Sequence, residues 1–214
     1  MTTEPRLSSS DRLINEFDKA LRSMFVKPQA ERISPADAIE ENELDVQQTK
    51  LSIELMRVNH TGEVCAQALY QGQAITARSS QVKEKMKVAA LEEVDHLNWC
   101  ETRLQELGGR TSLLNPFWYL GSLTMGVTAG WLGDKWSLGF LQETEQQVEQ
   151  HLAEHLDDLP DNDKKSRAIV AQMKIDEGQH AEMAAASGAA ELPALVKKAM
   201  ATTANAMKFI AAKV

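Results

Sequence analysis

The sequence predicts an all-α fold, and three observations support this prediction. Of the 214 residues, 43% are hydrophobic and only 5% aromatic, with Ala, Leu, Glu, Gln, Lys and Met dominating, as in helical proteins. Gly and Pro are confined to a few places, so long stretches contain no residue that breaks a helix. Two of these stretches contain Glu-x-x-His, a spacing that places both side chains on one helix face.

Helical patterns and their end signals divide the chain into a short N-terminal segment and one larger domain. Residues 1–42 contain a short amphipathic helix, which Ser10 or Asp11 can cap, and a loop that begins near residue 27. The domain at 43–214 contains helical patterns at about 43–78, 81–107, 136–158, 163–187 and 192–212. Gly108-Gly109 is typical of a helix C-terminus, and Asp161 or Asn162 can cap the helix that starts near residue 163.

The first four of these helices form two pairs of one design, with a lone Glu on the first helix and Glu-x-x-His on the second. Glu63 precedes Glu93 by 30 residues, and Glu145 precedes Glu177 by 32. Each turn lies near the midpoint, so antiparallel packing at about 1.5 Å rise per residue brings the lone Glu level with its motif. A four-helix bundle of both pairs gathers six side chains inside: Glu63, Glu93, His96, Glu145, Glu177 and His180.

These six residues predict a site for two metal ions. Four carboxylates in an apolar interior are very costly unless they are neutralised, and two divalent cations balance their charge. Mixed carboxylate and imidazole ligands suit iron or manganese, whereas structural zinc favours thiolates. This ligand set is typical of ferritin-like carboxylate bundles, with further amphipathic or apolar helices added here. The alternative is a pair of solvated Glu-rich helix faces that happen to contain His.

Several other polar residues lie close to these motifs in sequence. Glu92 and Asp176 directly precede the motif glutamates, and either can accept a hydrogen bond from an imidazole N–H and fix its tautomer. The alternative for both is an ordinary surface acid. His60 and Tyr70 lie on the helix that carries Glu63, and each is either a buried neighbour of the site or a functional residue. We expect the remaining candidates to have no metal role. His151 should lie off the helix face that carries Glu145, and His155 should be solvated. Cys65 and Cys100 should be small buried residues.

The segment 111–133 contains no charged residue. It is long enough to span a membrane, but Asn115, Pro116 and several Gly, Ser and Thr residues make it a poor candidate. A helix at a membrane interface, one that lines an apolar path, or an internal connecting helix are the alternatives. The pattern at 192–214 has an apolar stripe flanked by lysines, which suits either an anionic membrane surface or packing against the bundle.

Charge and composition exclude several classes of protein. A net charge of −8 argues against a nucleic-acid partner, since binding to phosphates favours a basic surface. Two cysteines form neither a disulfide framework nor a zinc site of usual spacing, so we expect a reducing compartment. The N-terminus has no apolar region typical of a secretory signal, which favours the cytoplasm.

The sequence resembles the demethoxyubiquinone hydroxylases of ubiquinone biosynthesis from about residue 45 to 214. The resemblance depends on RVNHTGE at 57–63, EVDH at 93–96, GFLQETEQQVEQH at 139–151 and DEGQH at 176–180. The iron ligands of that family match Glu63, Glu93, His96, Glu145, Glu177 and His180.

The resemblance implies a ferritin-like di-iron monooxygenase on the cytoplasmic face of the inner membrane. Two iron ions per chain would activate O2 and hydroxylate a polyprenylated benzoquinol, with NADH or the quinol itself as reductant. The sequence leaves open whether the partner is a second copy of the chain or a lipid-binding accessory protein. The alternatives are a bacterioferritin-like iron-binding protein, a di-iron hydroxylase of a modified tRNA base, and a purely structural helical protein.

Overall fold

A computed structural model of the protein describes residues 8, 11, 14, 15, 18, 21, 22, 26–40 and 43–214. The described residues form helices and no strands, which confirms the all-α prediction. Six complete helices follow one another: α1 (Val46–Thr76), α2 (Ser80–Glu106), α3 (Asn115–Trp131), α4 (Asp134–Asp158), α5 (Lys164–Ala186) and α6 (Ala194–Ala211). Of the helix predicted near the N-terminus, positions 11, 14, 15, 18, 21 and 22 are helical, and the rest lies outside the described residues.

Local side-chain chemistry sets several helix ends. Asp45 caps α1 through a capping box, in which its carboxylate accepts from two backbone amides and Gln48 accepts from the backbone N–H of Asp45. Gly108 follows α2 with φ of 72°, a left-handed conformation that favours glycine, as the sequence predicted. The predicted cap of α5 was wrong: Asp163, rather than Asp161 or Asn162, accepts from the backbone N–H of Ser166 at 3.1 Å.

Helices α1, α2, α4 and α5 form the predicted four-helix bundle. Arg103 of α2, almost fully buried, donates to Asp163 at the start of α5 at 2.8 Å, and Gln73 of α1 donates to the backbone of Ser137 in α4 at 2.8 Å. Two apolar layers fill the bundle. One layer includes Met56, Trp99, Leu104, Leu152, Ile169 and Met173. The other includes Tyr70, Val82, Met86, Leu138, Leu141 and Ala184. On every bundle helix, the predicted Glu lies between these layers in sequence.

Most of the uncharged segment forms α3, which packs across α1. The two backbones approach so closely that a Cβ on Gly72 would lie 2.5 Å from the carbonyl oxygen of Leu123, and Gly126 is equally constrained. The opposite face of α3 is exposed, with Phe117 at 66% and Trp131 at 74%. Among the helices that the structure describes, none combines the length and apolar character needed to cross a membrane.

Two further elements cover the bundle. Residues 27–40 lie along α2, where Asn98 donates to the backbone of Pro28 at 2.7 Å. On the other side, α6 packs near α4, and Lys208 lies 3.5 Å from His151. His151 makes an edge-to-face contact with His155, with ring centroids 3.8 Å apart, and His155 is buried. The prediction that His155 is solvated was therefore wrong, because α6 covers this end of α4.

Candidate metal centre

The structure brings all six predicted residues together in the middle of the bundle, between its two apolar layers. All six are buried. We call them the Glu/His cluster: Glu63, Glu93, His96, Glu145, Glu177 and His180. The helical spacing of i and i+3 places each motif glutamate against its own histidine, with His96 Nδ1 3.3 Å from Glu93 and His180 Nδ1 3.1 Å from Glu177.

Glu93 and Glu177 lie between the two imidazoles. His96 Nδ1 also lies 3.2 Å from Glu177, and His180 Nδ1 lies 3.2 Å from Glu93. Glu63 is on the His96 side, with an oxygen 3.5 Å from His96 Nδ1. The two central carboxylates therefore contact both histidines, which is the placement required of ligands shared by two ions.

The ligand atoms are close enough to hold a metal ion. One atom each from Glu63, Glu93, His96 and Glu177 lies within 4.8 Å of the other three. Buried oxygens of Glu63, Glu93 and Glu145 lack a well-aligned hydrogen bond from the described residues, although those of Glu63 and Glu93 lie 3.5 and 3.2 Å from an imidazole nitrogen. Such orphaned carboxylate oxygens are costly unless a cation neutralises them. The cluster thus fits a divalent ion that prefers oxygen and imidazole ligands.

The protonation of the cluster indicates the same need for positive charge. Burial, with repulsion from neighbouring carboxylates, raises the pKa of Glu63 and of Glu145 well above the ordinary range. Burial disfavours the charged imidazoles of His96 and His180, but hydrogen bonds with the surrounding carboxylates outweigh it and raise the pKa of both. Protons thus occupy the place of a cation, and metal binding releases them.

Outside the cluster, each histidine donates to an acid that lies on the opposite motif helix. The Nε2–H of His96 donates to Asp176 Oδ2 at 2.9 Å, and that of His180 donates to Glu92 Oε2 at 2.7 Å. The predicted acceptor role is therefore confirmed for both acids. The pairing crosses between α2 and α5, and in both histidines it leaves Nδ1 facing the carboxylates of the cluster.

Other polar residues near the motifs have more local roles. The hydroxyl of Tyr70 donates to Glu145 at 3.0 Å, which ties this carboxylate to α1. His60 is buried beside Asn115, 3.4 Å from its amide nitrogen. His151 contacts His155 rather than the cluster, as its position on α4 predicted. The two free cysteines agree only in part with the prediction: Cys100 is buried and Cys65 is half-buried.

Sequence reasoning missed two residues next to the centre. Asp95 is buried, and it accepts from Arg32, which also contacts Asp176. Asp95 stands inside the first Glu-x-x-His motif, beside residues that were assigned roles, but Arg32 lies in a loop without periodicity. The sequence signal that could have revealed Asp95 was an acid two residues after Glu93, on a helix face that points away from the Glu/His cluster.

Comparison with known proteins agrees with this geometry. Residues 50–211 match the model of the family described as ubiquinone biosynthesis protein COQ7. The chain belongs to the COQ7 family. It is 59% identical over 197 residues to the 3-demethoxyubiquinol 3-hydroxylase of Chromobacterium violaceum, covering 92% of this chain and 96% of the relative. It is 55% identical over 203 residues to the protein of that name from Dechloromonas aromatica, covering 95% and 98%.

The residues that match the COQ7 family cover most of the bundle but not the N-terminal segment. The matched range of 50–211 contains the whole Glu/His cluster together with Glu92 and Asp176. Arg32 and the rest of the segment 27–40 lie before that range.

Proposed function

We propose that this chain is a di-iron monooxygenase that uses O2 to hydroxylate the ring of a polyprenylated demethoxyubiquinol. The observation that carries the proposal is the Glu/His cluster, with four carboxylates and two imidazoles buried and with ligand atoms of Glu63, Glu93, His96 and Glu177 within 4.8 Å of one another. The names of its COQ7 relatives supply the substrate and the reaction. Neither an iron-storage role nor hydroxylation of a tRNA base agrees with those names, and the net charge of −8 also disfavours tRNA.

The cluster offers ligands for two iron ions per chain. Glu63 and His96 would hold one ion, and Glu145 and His180 the other. Glu93 and Glu177, which contact both imidazoles, would be shared between them. When the two shared carboxylates are divided between the ions, each metal position has a charge of −2, which matches a divalent ion, as in other carboxylate bundles of this kind.

Bound iron would supply the electrons and the open coordination position that reduction of O2 needs. In the overall reaction, a ring C–H bond becomes C–OH with one oxygen atom of O2. The second oxygen atom leaves as water, which takes up two protons and two electrons. An external reductant such as NADH would supply these electrons and leave the product as a quinol, whereas electrons from the quinol itself would leave the hydroxylated product as a quinone.

The protein's own residues position the ligands and keep water out. Asp176 and Glu92 hold the Nε2–H of the two histidines, so that Nδ1 faces inward with its lone pair. Tyr70 fixes the orientation of Glu145 from α1. The apolar layers above and below the cluster exclude solvent from the place where O2 is reduced.

We further propose that the protein associates peripherally with the cytoplasmic face of the inner membrane, where the polyprenylated substrate is dissolved. The exposed apolar side chains of α3 and of the residues that flank it at both ends support this proposal. These side chains are Leu113, Phe117, Leu120, Trp131 and Leu132. Retention of the protein by anionic vesicles on flotation tests the association, and a protein that stays with the soluble fraction would contradict it.

The function is tested by profiling quinones in cells that lack the gene. We expect the demethoxy quinone to accumulate and a plasmid copy of the wild-type gene to restore ubiquinone. Unchanged quinones would overturn the assigned reaction. The purified protein should also elute as a small oligomer, because an iron-storage cage would elute as a very large particle.

A further inference from the structure

Arg32 in the segment 27–40 reaches the edge of the Glu/His cluster. Its Nε donates to Asp95 Oδ2 at 2.7 Å, and its Nη1 donates to Asp176 Oδ2 at 2.9 Å. Both carboxylate side chains are almost fully buried, with exposed fractions of 4% and 6%. One guanidinium therefore joins the two motif helices, α2 and α5, from outside the bundle.

The local packing fixes this guanidinium in place. Its Cζ lies 4.8 Å from the ring centroid of Trp99, a cation–π contact on the side of the helix that carries His96. Asp95 Oδ1 also accepts from the backbone N–H of Glu31 at 2.7 Å. Backbone and side chain of the segment thus bind one carboxylate, which is more than a mobile surface ion pair provides.

Through Asp176, Arg32 acts on a cluster histidine. Asp176 Oδ2 accepts from both Arg32 and His96, each at 2.9 Å, while its Oδ1 accepts from Gln172 at 2.9 Å. Both oxygens are therefore held, and the carboxylate cannot turn away from the imidazole. Arg32 Nη2 also lies 3.3 Å from His96 Nε2. Because the ionised Asp176 carboxylate can only accept and lies closer to Nε2, at 2.9 Å, the Nε2–H points to Asp176.

The other histidine has no equivalent support. Glu92, the acceptor for His180, has a side chain that is 38% exposed. Among the residues that the structure describes, no lysine or arginine forms an ion pair with Glu92. The ion pair that distinguishes the two sides therefore comes from the N-terminal segment, while Gln172 of α5 adds a second contact to Asp176.

We propose that Arg32 is a positioning residue for metal binding: it holds Asp176 so that His96 presents Nδ1 to the ion on the Glu63 side. This inference depends on the proposed metal site but not on the identity of the substrate. It assigns the segment 27–40 a direct role in the affinity of that ion. Changes to outer partners of a metal-binding histidine typically weaken metal affinity by about 10- to 100-fold.

A double-mutant cycle tests the proposal through metal affinity, measured by anaerobic competition of Fe(II) with a chelator. The variants are Arg32→Gln, Asp176→Asn and the combination of both. We expect Arg32→Gln to weaken binding of one of the two ions by about 10-fold. If Arg32 acts through Asp176, the double variant should bind no more weakly than Asp176→Asn alone. Lys27→Gln is the matched control, because it removes a charge from the same segment, where Lys27 donates to Gln105 at 3.1 Å at an exposed position.

Three outcomes would overturn the inference. These are unchanged affinity in Arg32→Gln, additive losses in the double variant, or an equal loss in Lys27→Gln. Circular dichroism of the metal-free variants checks the fold, and Arg32→Lys replaces Arg32→Gln in the affinity measurement if Arg32→Gln unfolds. Lysine keeps the charge but cannot span Asp95 and Asp176 at once, so we expect an intermediate affinity. A wild-type protein that binds no iron would instead overturn the proposed function itself.

Discussion

The two histidines of the Glu/His cluster have matching inner contacts and different outer ones. On the inner side, each Nδ1 lies within 3.3 Å of both Glu93 and Glu177. On the outer side, His96 donates to a carboxylate that is 6% exposed, whereas His180 donates to one that is 38% exposed. The repeated sequence motif thus produces an approximately symmetric centre within asymmetric surroundings.

The elements that cover the two sides differ in the same way. On the His96 side, residues 27–40 attach through charged contacts of Arg32 with buried acids. On the other helix pair, α6 covers α4 near two buried imidazoles, His151 and His155. The two covers therefore differ chemically: the segment 27–40 binds buried acids next to the cluster, whereas α6 covers two buried imidazoles and forms an ion pair through Lys197 and Glu143, at 3.0 Å. Each should respond differently to mutation and to pH.

The largest effect should come from removing a residue that both sides share. Glu177→Ala is expected to lose both metal ions and to lower activity by about 1000-fold or more, because each imidazole then lacks a bridging carboxylate. Iron content per chain and turnover of the quinol measure the effect. Glu182→Ala on the same helix is the control, since that residue is exposed. Loss of only one ion would show that the cluster is not shared as proposed.

An intermediate effect should separate the two outer acids. Asp176→Asn is expected to weaken Fe(II) affinity by about 10- to 100-fold, because the amide can turn its NH2 toward His96 and no longer compel the Nε2–H tautomer. Glu92→Gln should cost less than about 5-fold, since water can replace an acceptor at an exposed position. Anaerobic chelator competition compares the pair. Equal losses would mean that burial does not distinguish the two sides.

The smallest effect concerns pH and the two buried imidazoles next to α6. Burial, with the charge of Lys208, lowers the pKa of His155 to about 4, and burial with the neighbouring charges lowers that of His151 to about 2. Because both pKa values lie below the unfolded value of about 6.5, stability is fully present above pH 6.5 and falls as the pH decreases toward 4. Between pH 7 and 5, each imidazole should reduce the free energy of unfolding by about 1–2 kcal/mol.

Urea unfolding of the metal-free protein at both pH values measures this loss. His155→Phe should make the pH dependence shallower, since an apolar ring of similar shape has no proton to gain. Hydrogen exchange should show α6 opening at pH 5 while residues 27–40 stay protected. An unchanged slope in His155→Phe would argue that this imidazole is not held neutral in the folded state.

The bundle and the Glu/His cluster could be predicted from sequence because both depend on local periodicity. The i, i+3 spacing and the matched separations of the lone glutamates determine which side chains share the interior. The partner of each outer acid could not be predicted in the same way. Glu92 and Asp176 each lie on the same helix as the histidine of their own motif, yet each accepts a hydrogen bond from the histidine of the opposite motif. This exchange of partners depends on how α2 and α5 cross.

Other features depended on contacts that no short pattern encodes. The loop that contains Arg32 has no periodicity, so its attachment to Asp95 and Asp176 was not predicted. The cap of α5 is Asp163 because this residue also meets the buried Arg103, a contact 60 residues distant. His155 is buried for a similar reason, since its covering helix comes much later in the chain.

The close crossing of α1 and α3 has a consequence for where chemistry takes place. With Gly72 and Gly126 in backbone contact, the two helices cannot slide past one another without a clash. The exposed apolar row of α3 and Glu63 on α1 therefore belong to one rigid body. Whatever surface that row contacts, the close packing of α1 and α3 therefore fixes the distance between that surface and the Glu/His cluster.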